Sequence, residues 1–123
     1  MIHIKKFPCP CCGFLVHDSV GSSAICEICR WEDDVVQLRW PDYQGGANRL
    51  SLIESQRNYQ RLGAVNEEFV ARVRAPRTNE GRDTGFRYAD PEIDNFEPSG
   101  DASGNWPSDY EVLYWWRPTY WRR

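Results

Sequence analysis

All five cysteines of the chain stand near its start, in Cys9-Pro10-Cys11-Cys12-Gly13 and in Cys26-Glu27-Ile28-Cys29, with thirteen residues between Cys12 and Cys26. Two Cys-x-x-Cys pairs can place four thiolates around one tetrahedral Zn²⁺. Each short turn brings its two sulfurs to one point, and the stretch between the pairs returns the backbone to meet them. In the first group Pro10 fixes φ early in the turn, and Gly13 offers the permissive backbone position that lets main-chain N–H groups face a sulfur. That selects Cys9 and Cys12, since pairing Cys11 with Cys12 would demand adjacent ligands. The expected donor set is Cys9, Cys12, Cys26 and Cys29 around one structural Zn²⁺, with Cys11 as a small apolar neighbour.

Other chemistries fit these residues less well. A redox dithiol wants a depressed thiolate pKa, which the acids of Arg30-Trp31-Glu32-Asp33-Asp34 oppose. An odd number of cysteines, three of them crowded into four positions, argues against a disulfide scaffold. A four-thiolate shell leaves no open position for a substrate, so the zinc is not expected to be catalytic. The histidines are His3 and His17. His17 is near enough to join a mixed site, but four cysteines already complete the shell. With no Ser-His-Asp, Cys-His or phosphate-loop pattern, the chain is not expected to be an enzyme. Glu32, Asp33, Asp34 and Asp42 instead suggest an acidic patch for a basic protein partner.

The 123 residues suffice for one modest core, so a single domain over 1–123 is expected, its first third folded with the help of the metal. Lys and Arg total 15 against 18 acids, for a net charge of −3. This balance suits a nucleic-acid duplex poorly. A binding role for the aromatic-basic tail, through Arg117, Trp121, Arg122 and Arg123, is the competing reading. Six Trp, six Tyr and five Phe are rich for this length and either enlarge a small core or stand at an interface. No run of apolar residues is long enough for a transmembrane helix and no leader pattern is visible. A cytoplasmic protein, monomeric when unbound, is expected.

The elements that must hold the cysteines can be read in order. Ile2 and Ile4 alternate in a short N-terminal arm. A zinc ribbon is expected over 7–40: an extended run at Phe14–His17, a turn at Ser19–Ser23, and a third strand at Val35–Trp40 with Val36, Leu38 and Trp40 on one face. Pro41 ends it, and Gly45-Gly46 lies in a packed turn. A helical pair follows over 51–75. Ser51 and Glu54 form a capping box for a helix from Leu52 to about Leu62, whose stripe is Leu52, Ser55 or Gln56, Tyr59 and Leu62. Asn66 caps a second helix with Phe69, Val70 and Val73 on its apolar face. Residues 77–106 lack periodicity and read as an extended surface wrap anchored by Phe86, Tyr88 and Phe96. Over 108–123, Ser108 and Glu111 predict a capped helix from Asp109 to about Trp116 and then an aromatic tail. The fold class expected is α+β, a small zinc-ribbon β element packed with two or three short helices.

Cys9-Pro-Cys-Cys-Gly13, Ile25-Cys-Glu-Ile-Cys29-Arg-Trp-Glu-Asp-Asp34, Gln37 and the loop Asp42-Tyr-Gln-Gly-Gly-Ala-Asn48 together resemble the bacterial cysteine-rich CPCC family. The resemblance spans Phe7 to Leu62 and implies a small bacterial zinc-binding domain without assigned catalytic residues. Proteins of this size and acidity look similar to the immunity proteins that accompany bacterial toxins. On that analogy, the expected function is non-catalytic protein binding, with the acidic residues occupying a basic toxin domain. A nucleic-acid-binding ribbon and a structural zinc adaptor are the alternatives.

Overall fold

A computed structural model of the chain describes residues 5–98 and 104–122. The N-terminal arm with Ile2, His3 and Ile4, and Arg123 of the tail, lie outside the described residues. The fold is mixed and sparing in regular structure. Strands β1 (Phe7–Pro8) and β2 (Leu15–His17) form an antiparallel pair with a bulge between the pairs Phe7–His17 and Pro8–Leu15. Helix α1 (Val35–Arg39), helix α2 (Leu52–Leu62) and two 3₁₀ helices, Glu67–Arg72 and Tyr110–Leu113, complete the described elements.

Each cysteine pair sits at the tip of its own short hairpin. β1 and β2 flank the first, and the isolated bridge between Ile25 and Glu32 closes the second. The ribbon expected over 7–40 runs from an extended stretch at Phe14–His17 through a turn at Ser19–Ser23 and ends in a third strand at Val35–Trp40. Its third strand is replaced: Val35–Arg39 is helical. Asp34 adopts extended backbone and its Oδ1 accepts the Val36 N–H at 2.8 Å, which is an N-cap. Alternation over six residues cannot tell a strand from a single helical turn whose flanks are buried. Here Gln37, Leu38, Arg39 and Trp40 are all buried.

The capping box of α2 forms as predicted. Ser51 Oγ accepts the Glu54 N–H at 3.1 Å, and Glu54 Oε1 accepts the Ser51 N–H at 3.1 Å. Gly63 ends the helix in the left-handed region at φ +79°. Leu52, Ile53, Ser55 and Gln56 are its buried side chains, so the buried face centres on the first turn and a half, while Tyr59 is half-buried.

Two other expected helices are tighter and shorter than predicted. The second member of the helical pair is 3₁₀, with Asn66 as its cap and no buried residue; Val70 is 46% exposed. Without an apolar stripe to bury, nothing favours the extra turns of an α-helix there. At the C-terminus the 3₁₀ turn is capped by Asp109, and Leu113, Tyr114, Trp115 and Trp116 are all buried in succession. Four consecutive side chains on an α-helix would point around most of its circumference. An irregular path can aim all four inward.

The rest of the chain from 77 onward contributes no strand or helix to the described residues other than that turn and the bridge between Phe14 and Arg82. Its order comes from rings and side-chain hydrogen bonds. Phe86 meets Trp116 edge-on with centroids 4.8 Å apart, Trp115 meets Trp116 at 4.8 Å, and Phe96 meets Trp115 at 5.8 Å. The core is continuous with the cysteines: Cys9, Cys11, Cys12, Cys26 and Cys29 form one cluster with Ile28, Trp31, Leu38, Leu52, Val65 and the residues Leu113 to Trp116.

Candidate metal centre

The two cysteine turns are built alike. In the first, Gly13 N–H donates to Cys9 O at 2.7 Å, Cys9 N–H donates to Phe14 O at 2.9 Å, and Gly13 sits at φ +82°. In the second, Arg30 N–H donates to Cys26 O at 2.7 Å, Cys26 N–H donates to Trp31 O at 2.9 Å, and Arg30 sits at φ +79°. The residue after each second cysteine must therefore be left-handed. Glycine does this freely, whereas arginine pays a conformational cost of about 1–2 kcal/mol. The Arg30 guanidinium rests over the Phe69 ring at 5.6 Å, which offsets part of it.

These turns bring together the four cysteines expected from the spacing. The sulfurs of Cys9, Cys12, Cys26 and Cys29 all lie within 4.8 Å of one another, with Cys9 Sγ 3.6 Å from Cys29 Sγ and Cys12 Sγ 3.8 Å from Cys26 Sγ. Four sulfurs each about 2.3 Å from a central metal ion have tetrahedral edges of about 3.8 Å. The Cys9–Cys29 and Cys12–Cys26 separations equal that edge within about 0.2 Å and the rest stay within 4.8 Å, so the four sulfurs could hold one ion. All five cysteines are free thiols, and each is no more than 1% exposed.

Electrostatics leads to the same reading. Burial pushes the thiols of Cys9, Cys12 and Cys29 well above the ordinary cysteine range. Hydrogen bonds from Cys12, Cys29 and Cys9 pull Cys26 down. Four thiolates at these separations need a cation among them. Trp31 N–H also points at Cys29 Sγ, at 3.4 Å. Cys11 is fully buried in the same cluster and is not among the four grouped donors.

Residues far along the sequence fix the backbone of the turns. Gln56 on α2 donates from Nε2 to Pro10 O at 2.9 Å and accepts the Ala89 N–H at Oε1, also at 2.9 Å. Arg82 Nε donates to Cys12 O at 2.8 Å. On the second turn, Val65 N–H donates to Cys29 O at 3.0 Å and Arg74 N–H to Glu27 O at 3.1 Å. None of these supports is signalled by the Cys-x-x-Cys spacing; the closest sequence sign is the placement of a buried amide, Gln56, on the inner face of a capped helix.

The acidic residues expected to meet a partner have divided roles. Asp33 is buried, its Oδ2 accepting the Ser22 N–H at 2.8 Å and the Ser22 hydroxyl at 3.1 Å, and burial raises its pKa. Asp34 caps α1 and also accepts the Ala47 N–H at 2.8 Å. Glu32 is half-buried, with both its backbone groups bonded to the Asn48 side chain, and Asp42 is exposed. His17 is buried beside Ser22, its Nδ1 3.3 Å from the hydroxyl, and is not among the clustered donors.

The described residues of the aromatic-basic tail contact other parts of the chain. Arg117 donates from Nε to Asp83 at 2.8 Å and from Nη1 to Glu111 at 3.1 Å, and Arg122 donates to Asn95 O at 3.1 Å. Trp121 lies against Arg39, whose guanidinium carbon is 4.6, 4.6 and 4.9 Å from the ring centroids of Trp40, Trp106 and Trp121. Glu97 closes this cage with two hydrogen bonds to Arg39, at 2.7 and 3.0 Å. Among the described residues no helix is long and apolar enough to cross a membrane.

The loop that carried much of the sequence resemblance is organised around one buried amide. Gln37 Nε2 donates toward Tyr43 O, Asn48 O and Leu50 O at 2.9–3.2 Å, while Oε1 accepts from the Asn48 backbone and side chain. A Cβ on Gly46 would fall 2.5 Å from Asp34 Oδ2 and 2.7 Å from Gln37, so the loop needs glycine there. Comparison with curated proteins returns no match. The family model described as cysteine-rich CPCC matches residues 7–80, more than half of the 123, a span that contains both cysteine turns, the Gln37 loop and α2. The chain belongs to the cysteine-rich CPCC family.

Proposed function

We propose that this is a non-catalytic protein whose fold is held by one structural Zn²⁺ on Cys9, Cys12, Cys26 and Cys29. The observation that carries the reading is the cluster of four buried sulfurs within 4.8 Å of one another. An all-thiolate tetrahedral donor set suits zinc, which has no redox chemistry of its own and accepts four sulfurs without geometric penalty. All four positions come from the chain, which suits a structural role. Bound there, the ion would cross-link the two hairpins, and reduced thiols of this kind suit a reducing compartment such as the cytoplasm.

The work of such a scaffold is protein binding. Its net charge of −3 and the solvent-exposed residue Asp42 favour a basic partner, and toxin immunity is the sharpest form of that reading. The test has two stages. Metal analysis of the purified chain is expected to give one zinc per chain, lost in Cys9→Ser. A candidate toxin encoded beside the native gene is then expected to form a one-to-one complex and to be neutralised. A zinc-loaded chain that neither binds nor protects against it would refute the immunity role while leaving the zinc scaffold intact.

A further inference from the structure

We propose that the segment from Gly81 to Tyr88, just past the residues shared with the family, is a clamp on the first cysteine turn that sets how fast metal leaves the four-cysteine centre. This rests on the metal reading above. The segment adds a backbone edge to the first hairpin: Leu15 N–H donates to Gly81 O at 2.9 Å, Phe14 and Arg82 form an antiparallel bridge, and Asp83 N–H donates to Gly13 O at 2.8 Å. Arg82 then reaches back over the turn. Its Nε donates to Cys12 O at 2.8 Å, its Nη2 to the Tyr88 hydroxyl at 2.9 Å, and its guanidinium lies 4.7 Å from the Phe14 ring centroid.

Phe86 closes the remaining side. A Cβ built on Gly13 would stand 2.4 Å from the Phe86 ring, so the ring packs on bare backbone directly beside Cys12. The clamp is itself braced. Phe86 meets Trp116 at 4.8 Å, and Asp83 Oδ2 accepts from Trp116 Nε1 at 2.7 Å and Arg117 Nε at 2.8 Å.

The physical consequence concerns opening. The four donor sulfurs are at most 1% exposed, so a competing chelator reaches them only when one turn swings outward. The second turn is tied by Val65 and Arg74, both within the family match. For the first turn, swinging means breaking the Gln56 bond to Pro10 O and, from this segment, the bonds to Cys12 O and Gly13 O, and lifting the Phe86 ring. Local opening of this kind has its own free energy, separate from that of global unfolding. The guanidinium also places a positive charge beside a centre whose four thiolates outweigh a divalent ion.

The experiment loads the full chain with Co²⁺, whose visible spectrum reports tetrahedral thiolate ligation, and follows loss of that spectrum in excess EDTA. Arg82→Met and Phe86→Ala are expected to start from the wild-type spectrum and stoichiometry and to release cobalt at least tenfold faster. Phe86→Tyr, which keeps the ring, is expected to release at the wild-type rate. Asp34→Ala serves as the control, because it weakens α1 without touching the first turn and should leave release unchanged. Wild-type rates in Arg82→Met and Phe86→Ala would overturn the clamp, as would equal acceleration in Asp34→Ala. A wild-type chain that binds no cobalt at all would instead overturn the metal reading on which the clamp rests.

Discussion

Arg30 shows how much a single backbone angle matters to the centre. The two cysteine turns have the same hydrogen bonds and the same left-handed residue, glycine in one and arginine in the other. Arg30→Gly removes about 1–2 kcal/mol of left-handed strain and gives up about 0.5 kcal/mol of stacking on Phe69. A net gain of about 0.5–1.5 kcal/mol is expected, read as a higher denaturant midpoint at unchanged m-value, with metal stoichiometry unaltered. Arg39 is the opposite case, a buried cation whose worth depends on its partners. Its side chain is 4% exposed and that of Glu97 is 26% exposed. Glu97→Gln leaves the guanidinium without its counter-charge and is expected to cost about 2–3 kcal/mol, less than for a fully buried pair because part of the carboxylate is in water. The hydrogen bonds from Arg39 hold the Glu97 carboxyl below the usual glutamate range. Its contribution is thus fully present above that range and is lost as pH falls through the lowered value. Denaturation midpoints measured from neutral to acid pH should fall more in the wild type than in Glu97→Gln, and parallel curves would contradict the pairing.

At the scale of elements, α1 is held by its cap and by the loop that follows. Asp34→Ala removes the bond to Val36 N–H and the bond to Ala47 N–H together. A loss of about 1–2 kcal/mol is expected, measured by thermal or denaturant unfolding. Gln37→Ala strips the acceptors and donors of the same loop of their buried partner and should cost more, about 2–4 kcal/mol, with faster amide exchange in 43–50. These two residues also show where the sequence was legible. The cysteine set and the α2 capping box carry their geometry in local spacing, and both appear in the structure where the spacing places them. Val35–Trp40 does not: its alternation fits a strand, and what makes it a helix is a cap whose other oxygen serves a loop thirteen residues on. Leu113 to Trp116 are buried in succession without the predicted helix, because periodicity assumes that buried residues share a face. The acidic run Glu32-Asp33-Asp34 looked like surface, yet Asp33 faces Ser22 and Asp34 faces backbone amides. In residues 81 to 88 the rings of Phe86 and Tyr88 signal anchoring, but nothing local says that the anchor is the first cysteine turn, since Arg82 meets Cys12 O seventy positions earlier.

For the molecule as a whole, the cysteine cluster is part of the core. The sulfurs pack with Trp31, Leu52, Tyr114 and Trp115 in one continuous cluster, and the supports of the two turns come from α2, from 65 and 74, and from 82 to 89. Removing the metal should therefore weaken packing throughout, beyond the first forty residues. A chelator-treated chain, or Cys9→Ser, is expected to lose near-ultraviolet aromatic signal from the buried tryptophans and to melt at a markedly lower temperature. The most direct test of the account is X-ray absorption at the metal edge of the purified chain. One zinc per chain with four sulfur neighbours at about 2.3 Å, and no nitrogen or oxygen in the shell, is the predicted result. A mixed shell, iron in place of zinc, or a folded chain without metal whose cysteines are joined as disulfides would contradict it.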